Sequence, residues 1–256
     1  MEKYDVVIVG AGMAGLTAAI YVARAGKSVL VLEGKVEGGQ IINTVDIENW
    51  PGDMRVSGVD LIRKIKSQVE ELGAKIDYVN VVKITPKDGG FEIFGDMDEK
   101  FEASSVILAM GTNPRKMSDE QTKSAGKRPI SYCATCDGAL YKDKTVVVVG
   151  HGNSAKHEVK YLEGICKKVY NIHHDEPIPE DAEAVFVAIG RIPATKCAEG
   201  LVEIDPSGYI MADETCHTSR EGVFVAGDCR VKDLRQLVTA ASDGSVAATE
   251  AVKYIA

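Results

Sequence analysis

Cys133-Ala134-Thr135-Cys136 sets two thiols two residues apart. Thiols at this spacing can close a small disulfide ring and exchange two electrons as a pair. Where such a pair opens a helix, the helix end favours the thiolate, the reactive form. The competing reading is half of a zinc site, yet no second CxxC or CxxH stands elsewhere in the chain. Asp137 follows directly, able either to handle a proton or to cap a helix. Cys166, Cys197, Cys216 and Cys229 have no near partner in sequence and read as structural or core thiols.

A second chemistry is carried by glycine. Gly10, Gly12 and Gly15, with Ala14 among them, form a GxGxxG between the apolar run 4–9 and a helical stretch over 16–25. In that setting the first glycine makes the turn and the second lets a pyrophosphate approach the backbone. The third lets helix and strand pack closely. Glu33 ends the next buried strand, 28–32, where a carboxylate can accept hydrogen bonds from ribose hydroxyls. Gly150, Gly152, Asn153 and Ala155 repeat the pattern after a second buried strand, 145–149.

These motifs need a sheet with crossover helices to hold them. The pattern predicts an amphipathic helix over 59–72, an extended stretch over 76–84, a hairpin from 91–94 and 100–102, and a separate buried strand at 106–109. A polar segment, 113–131, reads as a linker whose start is a domain boundary. A helix to 162, strands at 168–172 and 185–189, extended stretches at 208–211 and 222–226 and a closing helix from about 234 to 254 complete the series.

The chain has 256 residues, 45% hydrophobic and 27% charged, with a formal charge of −8. That composition excludes a disulfide-stapled miniprotein and disfavours phosphate backbones and anionic membranes as partners. No apolar run reaches the ~18 residues of a membrane span. The apolar N-terminus lacks a basic leader and runs into the glycine motif, so it reads as a strand. One closely spaced pair among six cysteines points to a reducing, cytoplasmic setting.

Cys133-Ala134-Thr135-Cys136-Asp137-Gly138 resembles the active-site segment of the low-molecular-weight (bacterial and archaeal type) thioredoxin reductase family. Gly38-Gly39-Gln40, Glu48-Asn49-Trp50-Pro51-Gly52, Val106 through Gly111, Gly227-Asp228, Arg235-Gln236 and Ala240-Ala241 with Gly244 are similar to its flavin segments, in order, from residue 4 to about 250. The resemblance implies an α/β, two-domain flavoprotein disulfide reductase. Its Rossmann-like FAD domain would be discontinuous (1–113 and 192–256), with a shortened dinucleotide-binding-like domain inserted (114–191).

It also implies roles. Cys136 would sit nearest the flavin, Cys133 would attack the partner's disulfide, and Asp137 would move the proton. Gly10, Gly12, Ala14, Gly15, Glu33, Gly39, Gln40, Asn49, Val82, Ala109, Gly111, Gly227, Asp228, Arg235, Gln236 and Leu237 would hold FAD. A homodimer, a rotation between domains and a thioredoxin or thioredoxin-like partner belong to the same implication.

Two departures bear on the electron donor. The family's second glycine motif binds NADPH, with arginines after the next strand; here that strand ends in His173-His174-Asp175-Glu176, and no arginine lies between Gly150 and Gly190. The acidic residues would repel a 2′-phosphate and suit the ribose diol of NADH. Only 39 residues separate the two glycines, too few for the family's β-meander and extra helix. Three readings stay open: NADH or NADPH as donor; a nucleotide-independent reductase fed by ferredoxin or a reduced deazaflavin, for which Lys116, Lys123, Lys127 and Arg128 could form a basic docking patch, although they read first as a solvated linker; or a flavin redox sensor that does not turn over.

Overall fold

A computed structural model describes residues 2–34 and 37–256, with the side chain of Asn153 outside the described set. Strand β1 (Glu2–Val9) delivers the chain into the first glycine turn, and helix α1 (Met13–Arg24) leaves it. Strand β2 (Val29–Leu32) returns parallel to β1, Val6 beside Val29. Helix α2 (Gly58–Glu71) starts at Ser57, whose hydroxyl accepts the Asp60 N–H. This is an ordinary N-cap, and the helix buries Leu61, Ile62 and Val69.

The stretch expected as one extended run is two strands in different places. β3 (Lys75–Asp77) lies beside β2, and β4 (Val81–Lys87) lies at the opposite edge of the sheet. The hairpin continues as β5 (Gly90–Gly95) and β6 (Lys100–Leu108). β6 is therefore one strand, not two: it pairs parallel with β1 along almost its whole length, while on its other side its first half pairs antiparallel with β5 and its end pairs parallel with a late strand.

β7 (Thr112–Pro114) follows, and the segment expected to be a linker contains helix α3 (Asp119–Ala125), capped by Ser118. Its shortness and polarity hid it: only Gln121 and Ala125 are buried. β8 (Ile130–Ser131), the single-turn α4 (Ala134–Asp137), β9 (Thr145–Val149), α5 (Asn153–Glu163), β10 (Lys168–Ile172) and β11 (Ala184–Val187) come next. β12 (Arg191–Pro193) pairs with β7. Residues 208–211 form only isolated bridges at Ile210. β13 (Val223–Val225) is the late partner of β6, and α6 (Leu237–Tyr254) closes the chain, three residues later than its pattern predicts.

The chain divides into two compact units, 1–112 with 193–256, and 113–192. The first unit is a seven-stranded sheet ordered β3-β2-β1-β6-β5-β4, with β13 on β6. One apolar cluster lies between the sheet and α1, α2 and α6; a second, around Ile93, Leu108 and Ile210, covers the other face. The second unit is an all-parallel four-stranded sheet, β10-β9-β11-β8, with buried clusters on both faces, as parallel sheets require.

In the first unit α1 packs directly on α6 through small residues. A Cβ on Gly244 would collide with the Ala14 carbonyl. Gly244→Ala is expected to lower the unfolding free energy by about 1–3 kcal/mol, read as the shift of a urea denaturation midpoint. An unchanged midpoint would mean that α1 and α6 separate without cost.

Candidate active site

Cys133 and Cys136 form a disulfide with Cα atoms 5.3 Å apart. Cys133 is the residue before α4, and its carbonyl accepts the N–H groups of Cys136 and Asp137. The helical turn thus brings two cysteines three positions apart within bonding reach. Cys133 is half-buried and Cys136 exposed. Being one turn long, α4 supplies less of the helix-end field that the motif suggests from sequence.

Ser131, buried at the end of β8, organises the approach to this pair. Its hydroxyl accepts the Cys133 N–H at 3.1 Å and donates to Asp137 Oδ2 at 2.6 Å. Asp137 is therefore held against the motif by a side chain that no sequence motif singles out.

Glu158 on α5 was also invisible from sequence. It accepts the N–H of Ala134, the first residue of α4, while its other carboxylate oxygen is buried without a hydrogen-bond partner. Burial pushes its carboxyl up to about 7, against smaller opposing effects of the Ala134 N–H and Arg191. The signal, a glutamate one turn into a helix that follows a glycine turn, reads from sequence as an ordinary solvated charge.

The remaining thiols are inert by environment. Burial raises Cys166, lifts Cys197 and Cys216 to about 11, and lifts Cys229 to about 12. All four are free, which leaves the 133–136 pair as the disulfide among the described residues.

In the first unit the glycine residues stand as their spacing predicts. Gly10 has φ of 108°, a conformation that L side chains rarely adopt, and a Cβ there would meet the Ala109 carbonyl. A Cβ on Gly15 would collide with the Gly10 carbonyl, so the strand–helix contact requires hydrogen. At Gly12 a Cβ would meet nothing within 4 Å: open space lies before the backbone, at the N-terminus of α1. That opening is the cradle a dinucleotide pyrophosphate needs, so these residues fit the FAD of the sequence expectation.

Other residues expected to hold FAD lie in the same unit. Gly39 Cβ space lies 3.7 Å from the Gly12 Cα. Gln40 follows in a short 3-10 turn. Asn49 donates to Gln236 at 3.1 Å, although 187 positions separate them. Gln236 caps α6 in a reciprocal box with Thr239, and Leu237 begins that helix. Gly111 follows buried Ala109 just beyond β6. The Arg235 guanidinium reaches the Asp228 and Arg230 carbonyls, both at 3.3 Å, and lies over the Tyr209 ring at 4.3 Å. Val82 lies at an irregularity in the β4–β5 register and is exposed.

Charged groups that the sequence analysis does not single out, Asp243 with Lys232 and Arg230 and, beside Glu33, Lys66, brace these loops. The Gly227 N–H bonds Asp243 at 3.0 Å, and Asp243 is clamped by Lys232 at 2.7 Å and Arg230 at 3.3 Å. Glu33, fully buried, accepts the Gly38 N–H and pairs with Lys66 at 2.6 Å. Burial alone would lower the Lys66 ammonium, but its bonds to Glu33 and Glu37 raise it above its ordinary value. Each Glu33 oxygen keeps acceptor capacity beyond these bonds.

In the second unit Gly150 has φ of 137°, and a Cβ there would meet the Ala188 carbonyl. Gly152 again opens on free space, and Ala155 is fully buried in the third position. Between β10 and β11, residues 173–183 contain no helix or strand, so the meander is absent from this unit. Asp175 is paired with His173 at 2.5 Å, which holds its carboxyl below the usual range. The arginine count between the glycines missed the segment before them. Arg115 and Lys116 line a cavity of about 670 Å³ with Ser118, Gln121 and His174. Arg128 leaves the basic patch expected for a protein donor. Its guanidinium bonds the Ala182 carbonyl at 2.6 Å and the Glu180 carbonyl at 2.9 Å, a structural clamp.

A redox disulfide beside a glycine-turn sheet, with a second glycine-turn sheet in the other unit, defines a flavoprotein-type disulfide oxidoreductase of α/β class. A family model described as pyridine nucleotide-disulphide oxidoreductase matches residues 4–180 and 174–244. Thioredoxin reductase from Peptoclostridium acidaminophilum is 34% identical, covering 98% of this chain and 97% of that protein. The Bacillus subtilis (strain 168) thioredoxin reductase is also 34% identical, covering 98% and 95%. The crystal structure of thioredoxin reductase from Streptococcus pyogenes MGAS5005 superposes with a TM-score of 0.91 at 32% identity, covering 98% of both chains. The chain belongs to the low-molecular-weight thioredoxin reductase family of these pyridine nucleotide-disulphide oxidoreductases. It is an oxidoreductase of an FAD-dependent family, and among the described residues no helix is long and apolar enough to cross a membrane.

The raised Glu158 carboxyl makes a pH prediction. Its folded value, about 7, exceeds the ordinary 4.5, so the folded state binds the extra proton between them. The stability this contributes is full below 4.5 and is lost as pH climbs through 7. Glu158→Gln should remove roughly 2–3 kcal/mol of that pH dependence, measured as denaturation midpoints from pH 5 to 8 (a range of about three units). An unaltered slope would show that Glu158 is not desolvated.

Proposed function

We propose that this protein is an FAD-dependent reductase of a protein disulfide, thioredoxin or a thioredoxin-like partner, working through Cys133 and Cys136. The observation that carries the reading is the Cys133–Cys136 disulfide, tied through Ser131 to Asp137. The names of its relatives supply the substrate class. FAD, once reduced by the donor, would supply the two electrons that open the 133–136 disulfide to the dithiol.

The chain's own residues do the rest. Cys133 thiolate attacks one sulfur of the partner disulfide, forming a mixed disulfide and releasing one partner thiolate. Cys136 thiolate then attacks the Cys133 sulfur, re-forming the internal disulfide and releasing the second. Two electrons and two protons reach the partner, with Asp137, held by Ser131, shuttling a proton. Gly10, Gly12 and Gly15 hold the pyrophosphate of FAD, and Glu33 takes the ribose, oriented by Lys66. Asn49, Gln236 and Arg235 line the flavin end, with Asp228 at the Gly227 turn.

For the donor we favour NADH. The second glycine turn, with Gly150, Gly152, Asn153 and Ala155, retains an open backbone, and the residues after β10 are acidic. The missing meander favours a second reading, a non-nucleotide donor such as ferredoxin or a reduced deazaflavin.

Anaerobic mixing tests the reading. NADH should bleach the flavin faster than NADPH, and electrons should pass on to thioredoxin. If neither nucleotide bleaches it while dithionite-reduced enzyme still reduces thioredoxin, the donor is not a nucleotide. If reduced enzyme leaves thioredoxin oxidised, the proposed function fails. Cys136→Ser should keep its yellow FAD, lose turnover and trap a mixed disulfide through Cys133. Turnover at the wild-type rate would sink the mechanism.

Lys66→Met should weaken FAD retention by roughly tenfold, the scale of a lost supporting contact. Equilibrium dialysis reads this without any activity assay, and full retention would remove Lys66 from the cradle.

A further inference from the structure

Three of the chain's five histidines gather in one place. β9 and β10 are adjacent parallel strands, and the Gly150 N–H bonds the Ile172 carbonyl where both strands end. The residues that leave the two strands therefore emerge side by side. His151 lies in the glycine turn after β9, and His173, His174 and Asp175 follow β10. The ring centroids of His151 and His173 are 5.3 Å apart, and those of His173 and His174 are 4.1 Å apart.

One ligating atom from each of His173, His174 and Asp175 lies within 4.8 Å of the others. A tetrahedral ion with bonds near 2.0–2.1 Å wants ligand atoms roughly 3.4 Å apart. His174 and Asp175 are exposed, and the His173 Nδ1–Asp175 Oδ1 hydrogen bond of 2.5 Å is the contact that an ion held by both side chains would replace. The frame beneath them is fixed. The His173 N–H bonds Glu176 Oε2 at 2.7 Å, and the His173 carbonyl accepts Gln121 Nε2 at 3.4 Å. These bonds hold the backbone that carries His173 and leave its imidazole to other partners. Arg115 and Lys116 share a cavity with His174 and oppose a cation, but Asp175 and Glu176 place two carboxylates in the same turn.

We propose that His173, His174 and Asp175, with His151 as the fourth ligand, bind a divalent transition-metal ion at the carboxyl edge of the four-stranded sheet. Imidazole and carboxylate donors of this count suit Zn²⁺ before Mg²⁺ or Ca²⁺, which prefer all-oxygen shells. The site is independent of the Cys133–Cys136 pair: it uses no sulfur and forms or breaks no covalent bond. It takes the place in the second unit where the sequence departs from its family's arginine cluster.

The test uses untagged, FAD-loaded protein with the disulfide intact, stripped with chelator and dialysed against Zn²⁺. The wild type should bind about one equivalent. His173→Ala and His174→Ala should each weaken binding by at least roughly tenfold, while His217→Ala, at an exposed histidine in the other unit, should not. Asp175→Asn, which keeps the shape of the turn, should weaken it as well. Co²⁺ loading, read as a difference spectrum against the metal-free enzyme, should give a visible ligand-field band and no thiolate charge-transfer band. No saturable Zn²⁺ binding, binding that survives both histidine substitutions in protein with an unchanged flavin spectrum, or a thiolate band on Co²⁺ loading would each overturn the proposal.

Discussion

Helix α1 is held on two sides by backbone contacts that no side chain larger than hydrogen permits. On one side Gly15 lies against the Gly10 carbonyl, and Gly10 against that of Ala109. On the other, Gly244 lies against the Ala14 carbonyl, and the Ala14 methyl fills the space beside Gly227. These contacts tie together four stretches that are distant in sequence: the first turn, the end of β6, the Gly227 turn and α6. Close packing makes such an arrangement stiff, because there is no flexible side chain to absorb a shift. The open space at Gly12 exists only while its neighbours are held at this spacing, so the cradle is a consequence of the helix packing.

Charge completes what packing begins. Asp243 projects from α6 and accepts the Gly227 N–H while Lys232 and Arg230 hold it, so the second loop of the cradle is tied to the same helix that packs on α1. Glu33 and Lys66 do the equivalent at the other loop, joining the end of β2 to α2. A buried ion pair adds little net stability, since desolvation offsets much of its attraction. Its effect is on geometry: removing one partner leaves a charge with nowhere to go, and the loop must move.

Much of the first unit could be read from residue types because its elements obey simple periods. The valine-rich strands, the GxGxxG turn and the apolar face of α2 each carry a local signal that survives in the fold. The misreadings have local causes. β6 looked like two strands because its polar middle, Ser104 and Ser105, interrupts the apolar pattern; yet Ser105 is buried and spends its hydroxyl on the Gly222 carbonyl. The β3–β4 stretch looked continuous because both pieces are extended, and only the sheet order separates them. Helix α3 has too few turns for periodicity to register. Its one local signal is the Ser118 cap before a polar run.

The chemistry-bearing residues were legible where their spacing is short and lost where it is long. Cys133, Cys136 and Asp137 are neighbours in sequence, and the helical turn brings them together unaided. Ser131 and Glu158 act on the same motif from β8 and α5, through contacts that depend on how α4 lies against the second sheet. No periodicity encodes that. The same limit explains the positive charge in the second unit. Counting arginines along one βα stretch tests only what that stretch supplies, whereas a parallel sheet gathers side chains from every loop at its carboxyl edge. Arg115 and Lys116 reach the His174 cavity from a segment outside the stretch, so the acidic turn after β10 is one contributor to the local field and not the whole of it.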